Sequence, residues 1–174
     1  VQGVSGEVET STSTTGWEAL KTGAVVGSGV TVRTGKNGKV TLLPSVSESR
    51  IVLYENTQLV FEKVQLSKND PESAAFSFDL EKGEAVFDFP KGVPICRVAV
   101  PMVTLWSQLV RYKVRIDKDD NRILVSRFAI QAEDRADPSR KVIVGTEQEL
   151  IATLKDPVAK PRSALGAAMR DRWD

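Results

Sequence analysis

The stretch "WEALKTGAVVGSGVTVRTGKNGKVTL" (residues 17–42) decides how this chain is read. Glycines at positions 23, 27, 29, 35 and 38 interrupt a run rich in valine and threonine. Glycines so placed either cradle a phosphate or let short strands turn. A phosphate loop needs a glycine five places before a Gly-Lys pair and a Ser or Thr directly after it, leading from a strand into a helix. Here Arg33 stands five places before Gly38, and Val40 follows Lys39. A dinucleotide fingerprint fails too, because Val32 occupies the place of the third glycine after Gly27 and Gly29. "GKNG" (35–38) has the letters of the RNA-clamping G-x-x-G loop, but that loop joins helices and this one is flanked by strand-like sequence. Asn37-Gly38 is a hairpin signal, since a tight turn between strands needs positive φ at its centre. The glycines are read as turns.

Outward from this stretch the chain continues as short strands, with turn signals about every 8 to 12 residues in the manner of an all-β domain. Val40 and Leu42, Ile51 and Leu53, Leu59 and Phe61 alternate with other residues. Phe76, Phe78 and Leu80 continue the pattern, followed by Ala85, Phe87 and Phe89. "VRYKVRI" (110–116) is the clearest case: Val110, Tyr112, Val114 and Ile116 point one way and Arg111, Lys113 and Arg115 the other. Period-two alternation marks a half-buried strand. "LPSVSES" (43–49), "SKNDPES" (67–73), "PKGVP" (90–94), "DKDDN" (117–121) and "EDRADPSR" (133–140) hold the Gly, Pro, Asn and Asp of loops. "VSGEVE" (4–9) echoes "EKGEAVF" (81–87), and "LKTG" (20–23) echoes "LEKG" (80–83), each with a glycine between strand-like runs. Stacked hairpins would give that pattern. The expected fold is all-β: an antiparallel two-layer sandwich or a β-solenoid-like stack of hairpins over residues 1–154. Residues 155–174 are expected to be a linker with two prolines and a short helix over "SALGAAMRDRW" (163–173), N-capped by Ser163.

Composition removes several chemistries. At 174 residues the chain can bury one sizeable core. A formal net charge of +1 supplies no global field for nucleic acid or anionic lipid. Histidine is absent, which excludes Ser-His and Cys-His nucleophile pairs and histidine-containing zinc sites. Cys96 is the single cysteine, so no internal disulfide forms; a buried strand residue is its expected role. No run of 18 apolar residues exists to cross a membrane as a helix. Because the sequence opens on Val1 with no leader, a mature product or trimmed chain is expected.

Few residues carry candidate chemistry. Asp117, Asp119 and Asn121 form a D-x-D-x-N array, but Arg122 replaces the glycine and Phe128 the bidentate glutamate of a calcium loop, so a hairpin tip is expected. Two carboxylates at glycosidase spacing would be a three-dimensional fact, and nothing singles out a pair. Arg111, Lys113 and Arg115 could meet a carboxylate, sulfate or phosphate. The plainer account is a solvated sheet face whose charges are answered by acids on a neighbouring strand. Trp106 and Tyr112 could line a carbohydrate or peptide groove, although burial is the commoner use of aromatics. Arg111, Lys113, Arg115 and Trp106 are therefore the candidate binding residues, with no catalytic residue, metal or cofactor.

The whole N-terminal pattern resembles the FecR-type domain of bacteria. That family shows a G-x-V start, a W-x-x-L-x-x-G turn, a G-x-x-[IV]-x-T-G-x-x-G segment and an [IL]-x-x-N-[ST]-x-[LI] turn. The matching residues are Gly6 and Val8; Trp17, Leu20 and Gly23; Gly29, Val32, Thr34, Gly35 and Gly38; and Leu53, Asn56, Thr57 and Leu59. The later half departs: "VPMV" (100–103) lacks the family's threonine, and Leu109-Val110 stand where Gly-Thr follows an arginine. The resemblance implies a non-enzymatic, extracytoplasmic interaction or sensory module, in the periplasm or at the cell surface, with any signal peptide removed. Its implied partner is another envelope protein, met by a sheet edge or a surface. An anionic glycan or envelope polymer is the alternative, and a carboxylate hydrolase the second.

Overall fold

The computed structural model describes residues 1–44, 49–65, 75–89 and 95–164. Among them lie sixteen strands and no helix, joined in one hydrogen-bonded network that does not close into a barrel. One layer runs β1 (Gly3–Ser5), β5 (Lys39–Leu42), β6 (Arg50–Leu53), the C-terminal half of β8 (Ala75–Phe89), β11 (Val110–Ile116), β12 (Asp120–Arg127), β15 (Gln148–Thr153) and β16 (Arg162–Ser163). The other runs β3 (Glu18–Ala19), β2 (Val8–Thr12), β4 (Val30–Thr34), β7 (Gln58–Gln65), the N-terminal half of β8, β9 (Cys96–Ala99), β10 (Val103–Ser107), β13 (Ile130–Asp134) and β14 (Lys141–Val144).

β8 belongs to both layers because it folds over at Gly83. Phe78 and Phe87, nine residues apart, would lie roughly 30 Å from each other on a straight strand. Their ring centroids are 6.2 Å apart. The two halves therefore face one another across the core. Gly83 has φ +89°, and a Cβ there would collide with Asn56 and Thr57, so glycine is required.

The other strands repeat this arch, and they do so in sequence order. β1 turns over into β2 at Gly6, β4 into β5 at residues 35–38, β6 into β7 at residues 54–57. The arches β10–β11, β12–β13 and β14–β15 follow. "GKNG" is thus not the hairpin that Asn37-Gly38 suggests. Asn37 does take φ +59°, but β4 and β5 pair with different neighbours in different layers. Turn chemistry is alike in a hairpin and in an arch; only the onward partners differ. The echo between Gly6 and Gly83 has a physical basis, because both glycines take positive φ at an arch bend.

β9 breaks the antiparallel rule. It pairs parallel to the first half of β8, Phe76 opposite Cys96 and Asp79 opposite Ala99. The expected purely antiparallel sheet is corrected at this one pair. Inserting this single strand moves the bends: Gly6, Asn37, Asn56 and Gly83 lie along one rim. β11 instead begins opposite Phe89 and ends opposite Gly83, so residues 108–109 turn over at the opposite rim.

Inward positions form one core. Val40, Leu53, Leu59, Phe78, Phe87, Tyr112 and Val114 are all buried there, as alternation predicts. Phe61, Phe76, Phe78, Phe87, Phe89 and Tyr112 form a chain of ring contacts with centroids 5.2 to 6.2 Å apart. The helix expected over 163–173 finds no support: Ser163 is extended and pairs with Gln148, and residues 165–174 lie outside the described residues. The Ala164 N–H donates to the Glu147 carbonyl (2.8 Å), and Val158 and Ala159 pack against the core. The loops expected at 67–73 and 90–94, and most of 43–49, also fall outside the described residues.

Candidate functional site

The first rim is held by a ladder of hydrogen bonds between successive bends. The Gly35 N–H donates to the Glu7 carbonyl (2.8 Å), and the Asn56 N–H to the Gly35 carbonyl (3.2 Å). Inside this line, the buried hydroxyls of Thr34 and Thr57 continue it. The Thr57 N–H donates to Thr34 Oγ1 (2.9 Å), the Glu84 N–H donates to Thr57 Oγ1 (2.9 Å), and Thr57 Oγ1 reaches the Glu84 carbonyl (3.0 Å). Gly6, Thr34, Gly35, Gly38 and Asn56 thus meet at one architectural feature. A Cβ on Gly6 would strike the Asn37 carbonyl. Leu20 is buried in the core. Gly23 and Gly29 take positive φ in open space. Trp17 is 37% exposed, with the Arg33 guanidinium 3.8 Å from its ring centre, while Arg33 pairs with Glu9.

A cleft of about 700 Å³ opens where this rim meets the β11–β12 turn. Asn37, Tyr54, Glu55, Glu84, Arg115 and Asp117 line it. Its charges are already answered: Lys113 Nζ lies 2.9 Å from Glu84, Arg115 Nε 3.2 Å from Asp117, and Glu55 accepts the Asn37 N–H (3.1 Å). The Lys39 and Lys113 ammoniums stand 5.3 and 5.4 Å from the Tyr54 ring centre, within cation–π range. The described residues hold no group of His, Cys, Asp and Glu able to bind a metal.

Arg111, Lys113 and Arg115 share the outer face of one layer, as alternation predicts. Arg111 and Arg127 both approach Asp88, at 3.6 and 2.8 Å, and Arg50 stands opposite Asp88 on β6. All three candidate cations thus have acidic neighbours, two of them on the adjoining strand. Trp106 does not join them. It lies on the outer face of the other layer, where its indole N–H donates to Glu133 (2.8 Å). Tyr112 is buried inside the core, away from both faces. The bend at Gln108-Leu109 separates these residues, and it holds no glycine or proline to betray it.

The remaining unusual groups are explained by burial. Cys96 is free and buried, which pushes its thiol pKa well up. Tyr112 is raised for the same reason. Asp79, half-buried on the outer face of β8, has its pKa raised chiefly by desolvation, opposed by Arg135, with Glu62 and Glu81 adding to the rise and Arg97 opposing it. In the D-x-D-x-N array, the Asp117 N–H closes a turn onto the Asp120 carbonyl (2.9 Å). Asn121 is buried, and its Oδ1 accepts the Met102 N–H (3.0 Å).

Sequence reasoning named a sheet edge as a contact surface but not the strand that forms it. Among the described residues β14 is the last strand of its layer; Ile143 within it and Phe128 at the preceding bend are half-exposed large apolar residues. The signal was present in "KVIVG" (141–145), three consecutive β-branched residues with only one charge.

No protein-family model and no curated protein matches the chain. Among solved structures, two crystal structures of a "putative anti-sigma factor" from Parabacteroides distasonis share its fold. One has a TM-score of 0.60 at 10% identity, the other 0.59 at 9%, each over 77% of this chain. This chain covers 60% of the length of each of those chains.

Proposed function

We propose that this domain is a non-enzymatic, FecR-like interaction or sensory module of the bacterial envelope, working outside the cytoplasm and bound by another envelope protein. The observation that carries the reading is the rim ladder. The residues of the FecR resemblance, Gly6, Thr34, Gly35, Gly38 and Asn56, converge there in building the arches. The fold shared with the Parabacteroides distasonis protein supports it, as does a cleft whose carboxylates have structural partners. Among the described residues each end of the stack has strand edges without a second neighbour, which suit such a module.

In-cell photo-crosslinking tests this. A photoreactive residue placed in turn at exposed positions over the whole surface should give a discrete adduct with one envelope protein, at adjoining positions only. An engineered surface cysteine should react with a membrane-impermeant thiol reagent on intact, outer-membrane-permeabilised cells; buried Cys96 contributes no background. Absence of any discrete adduct, or labelling only after lysis, refutes the reading.

A second reading, recognition of an anionic glycan, is favoured by one observation: Arg111 and Arg127 both approach Asp88, and Arg50 stands opposite it on β6, which places three cationic residues on one face. Absence of binding to any anionic glycan, or binding that persists after Arg50, Arg111 and Arg127 are all changed to Ala, eliminates it.

A further inference from the structure

Among the described residues the edges without a second neighbour are β1, β3, β14 and β16, of which β14, with four residues, is the longest. Its hydrogen-bonding parity follows from one bond. The Asp134 N–H donates to the Arg140 carbonyl (3.0 Å), so residues 134 and 140 face each other at a bonded position. Bonded and non-bonded positions alternate along an antiparallel ladder. Ala132–Val142 and Ile130–Val144 are therefore bonded pairs, while Glu133–Lys141 and Gln131–Ile143 are not. The N–H and C=O groups of Lys141 and Ile143 consequently point away from β13, toward the open side.

Three further features gather at this edge. Ile143 (57% exposed) and Trp106 (36%) flank Gln131 from either side on the same outer face. Phe128, half exposed at the β12–β13 bend, holds φ +64°, a conformation that costs a bulky residue about 1 kcal/mol or more. Its carbonyl is fixed by Thr146 Oγ1 (2.9 Å), just past β14. Glu133 lies opposite Lys141, yet its two oxygens accept the Trp106 indole (2.8 Å) and the Gln131 amide (2.7 Å). The Lys141 ammonium has no ion-pair partner among the described residues. Finally, among the described residues β16 carries its layer one strand beyond β15, whereas the other layer stops at β14. A strand added to β14 would lie opposite β16 and bring the two layers level.

We infer that β14 is a docking edge for an extended segment of a partner protein. The segment runs antiparallel to β14 and exchanges backbone hydrogen bonds with Lys141 and Ile143. It places an acidic side chain beside Lys141 and an apolar one against the Trp106–Ile143 row. This inference rests on the protein-binding reading above and names the surface and the chemistry of its partner.

The test uses a random dodecapeptide library displayed on phage, selected on the whole purified domain, with enriched sequences remade as synthetic peptides. Enriched peptides should alternate apolar and polar residues around one acid, and should protect the Lys141 and Ile143 amides from hydrogen exchange. Ile143→Pro removes an outward N–H and no ladder bond, so the domain should keep its circular dichroism and melting point. Peptide affinity should fall about tenfold or more. Lys141→Glu should reverse the preference from acidic to basic peptides, and it decides the matter should Ile143→Pro fail to fold. No enrichment, or peptides that bind both variants as they bind the wild type, overturns the inference. If β14 fails in this way while crosslinking still captures an envelope protein elsewhere, the interaction reading stands and only the edge is wrong; loss of both removes both.

Discussion

Replacing Gly83 by Ala separates two costs that the arch bends combine. Gly83 and Gly23 have nearly the same backbone conformation, φ +89° and +86°. Holding an L-residue there costs about 1 kcal/mol at either site. Their surroundings differ. A Cβ at position 23 meets nothing within 4 Å, whereas at position 83 it comes within 2.8 Å of the Asn56 carbonyl and closer still to Thr57. Relief requires Thr57 to move, and Thr57 Oγ1 makes two bonds to the Glu84 backbone (2.9 and 3.0 Å). Each is worth about 1 kcal/mol net, and the hydroxyl is buried where no water replaces them. Gly83→Ala should therefore destabilise by about 3–4 kcal/mol and Gly23→Ala by about 1 kcal/mol. Urea denaturation followed by tryptophan fluorescence reads the difference: a midpoint lower by about 1.5–2 M for the first and about 0.5 M for the second, with similar slopes. Equal losses at the two positions would refute the claim that stacked bends, rather than local turn geometry, demand glycine at position 83.

Two other outcomes follow from burial. Asp79 has a folded pKa above its ordinary value, so the folded state holds its proton more tightly than the unfolded chain. Its contribution to stability is present below the unfolded pKa and lost as pH rises through the folded one. Asp79→Asn should accordingly raise the melting temperature at pH 7 and change it little at pH 3; the reverse order would contradict the assignment. Cys96 should react with an aromatic disulfide reagent only through global opening, so that labelling rate and urea concentration rise together. Fast labelling of the native domain at pH 8 would show that the β9 core is looser than its packing implies.

What could be read in the sequence was set by periodicity. Val110, Tyr112 and Val114 are buried and Arg111 and Arg115 are not, because a pleated strand allows no other arrangement. Lys113 sits on the outer face yet is buried under neighbours, which no pattern within one strand could reveal. The distinction between hairpin and arch was illegible for a related reason. Asn37, Asn56 and Gly83 satisfy the same φ requirement in both, and the choice is made by strands far away in the chain. Trp106 and Arg111 are five positions apart and sit on opposite faces of the molecule, since residues 108–109 turn over without a glycine or proline. The parallel strand β9 gave no sign at all, because Cys96 and Val98 would face inward under either pairing.

An ordering of strands that follows the chain also has a mechanical meaning. β1 and β3 lie at one extremity of the pile and β14 and β16 at the other, with each arch touching chiefly its neighbours. Tension applied between those extremities would load the strand-to-strand bonds one row after another, peeling short outer strands before the Phe78–Phe87 centre yields. Such a body gives way gradually at its margins while its middle stays intact.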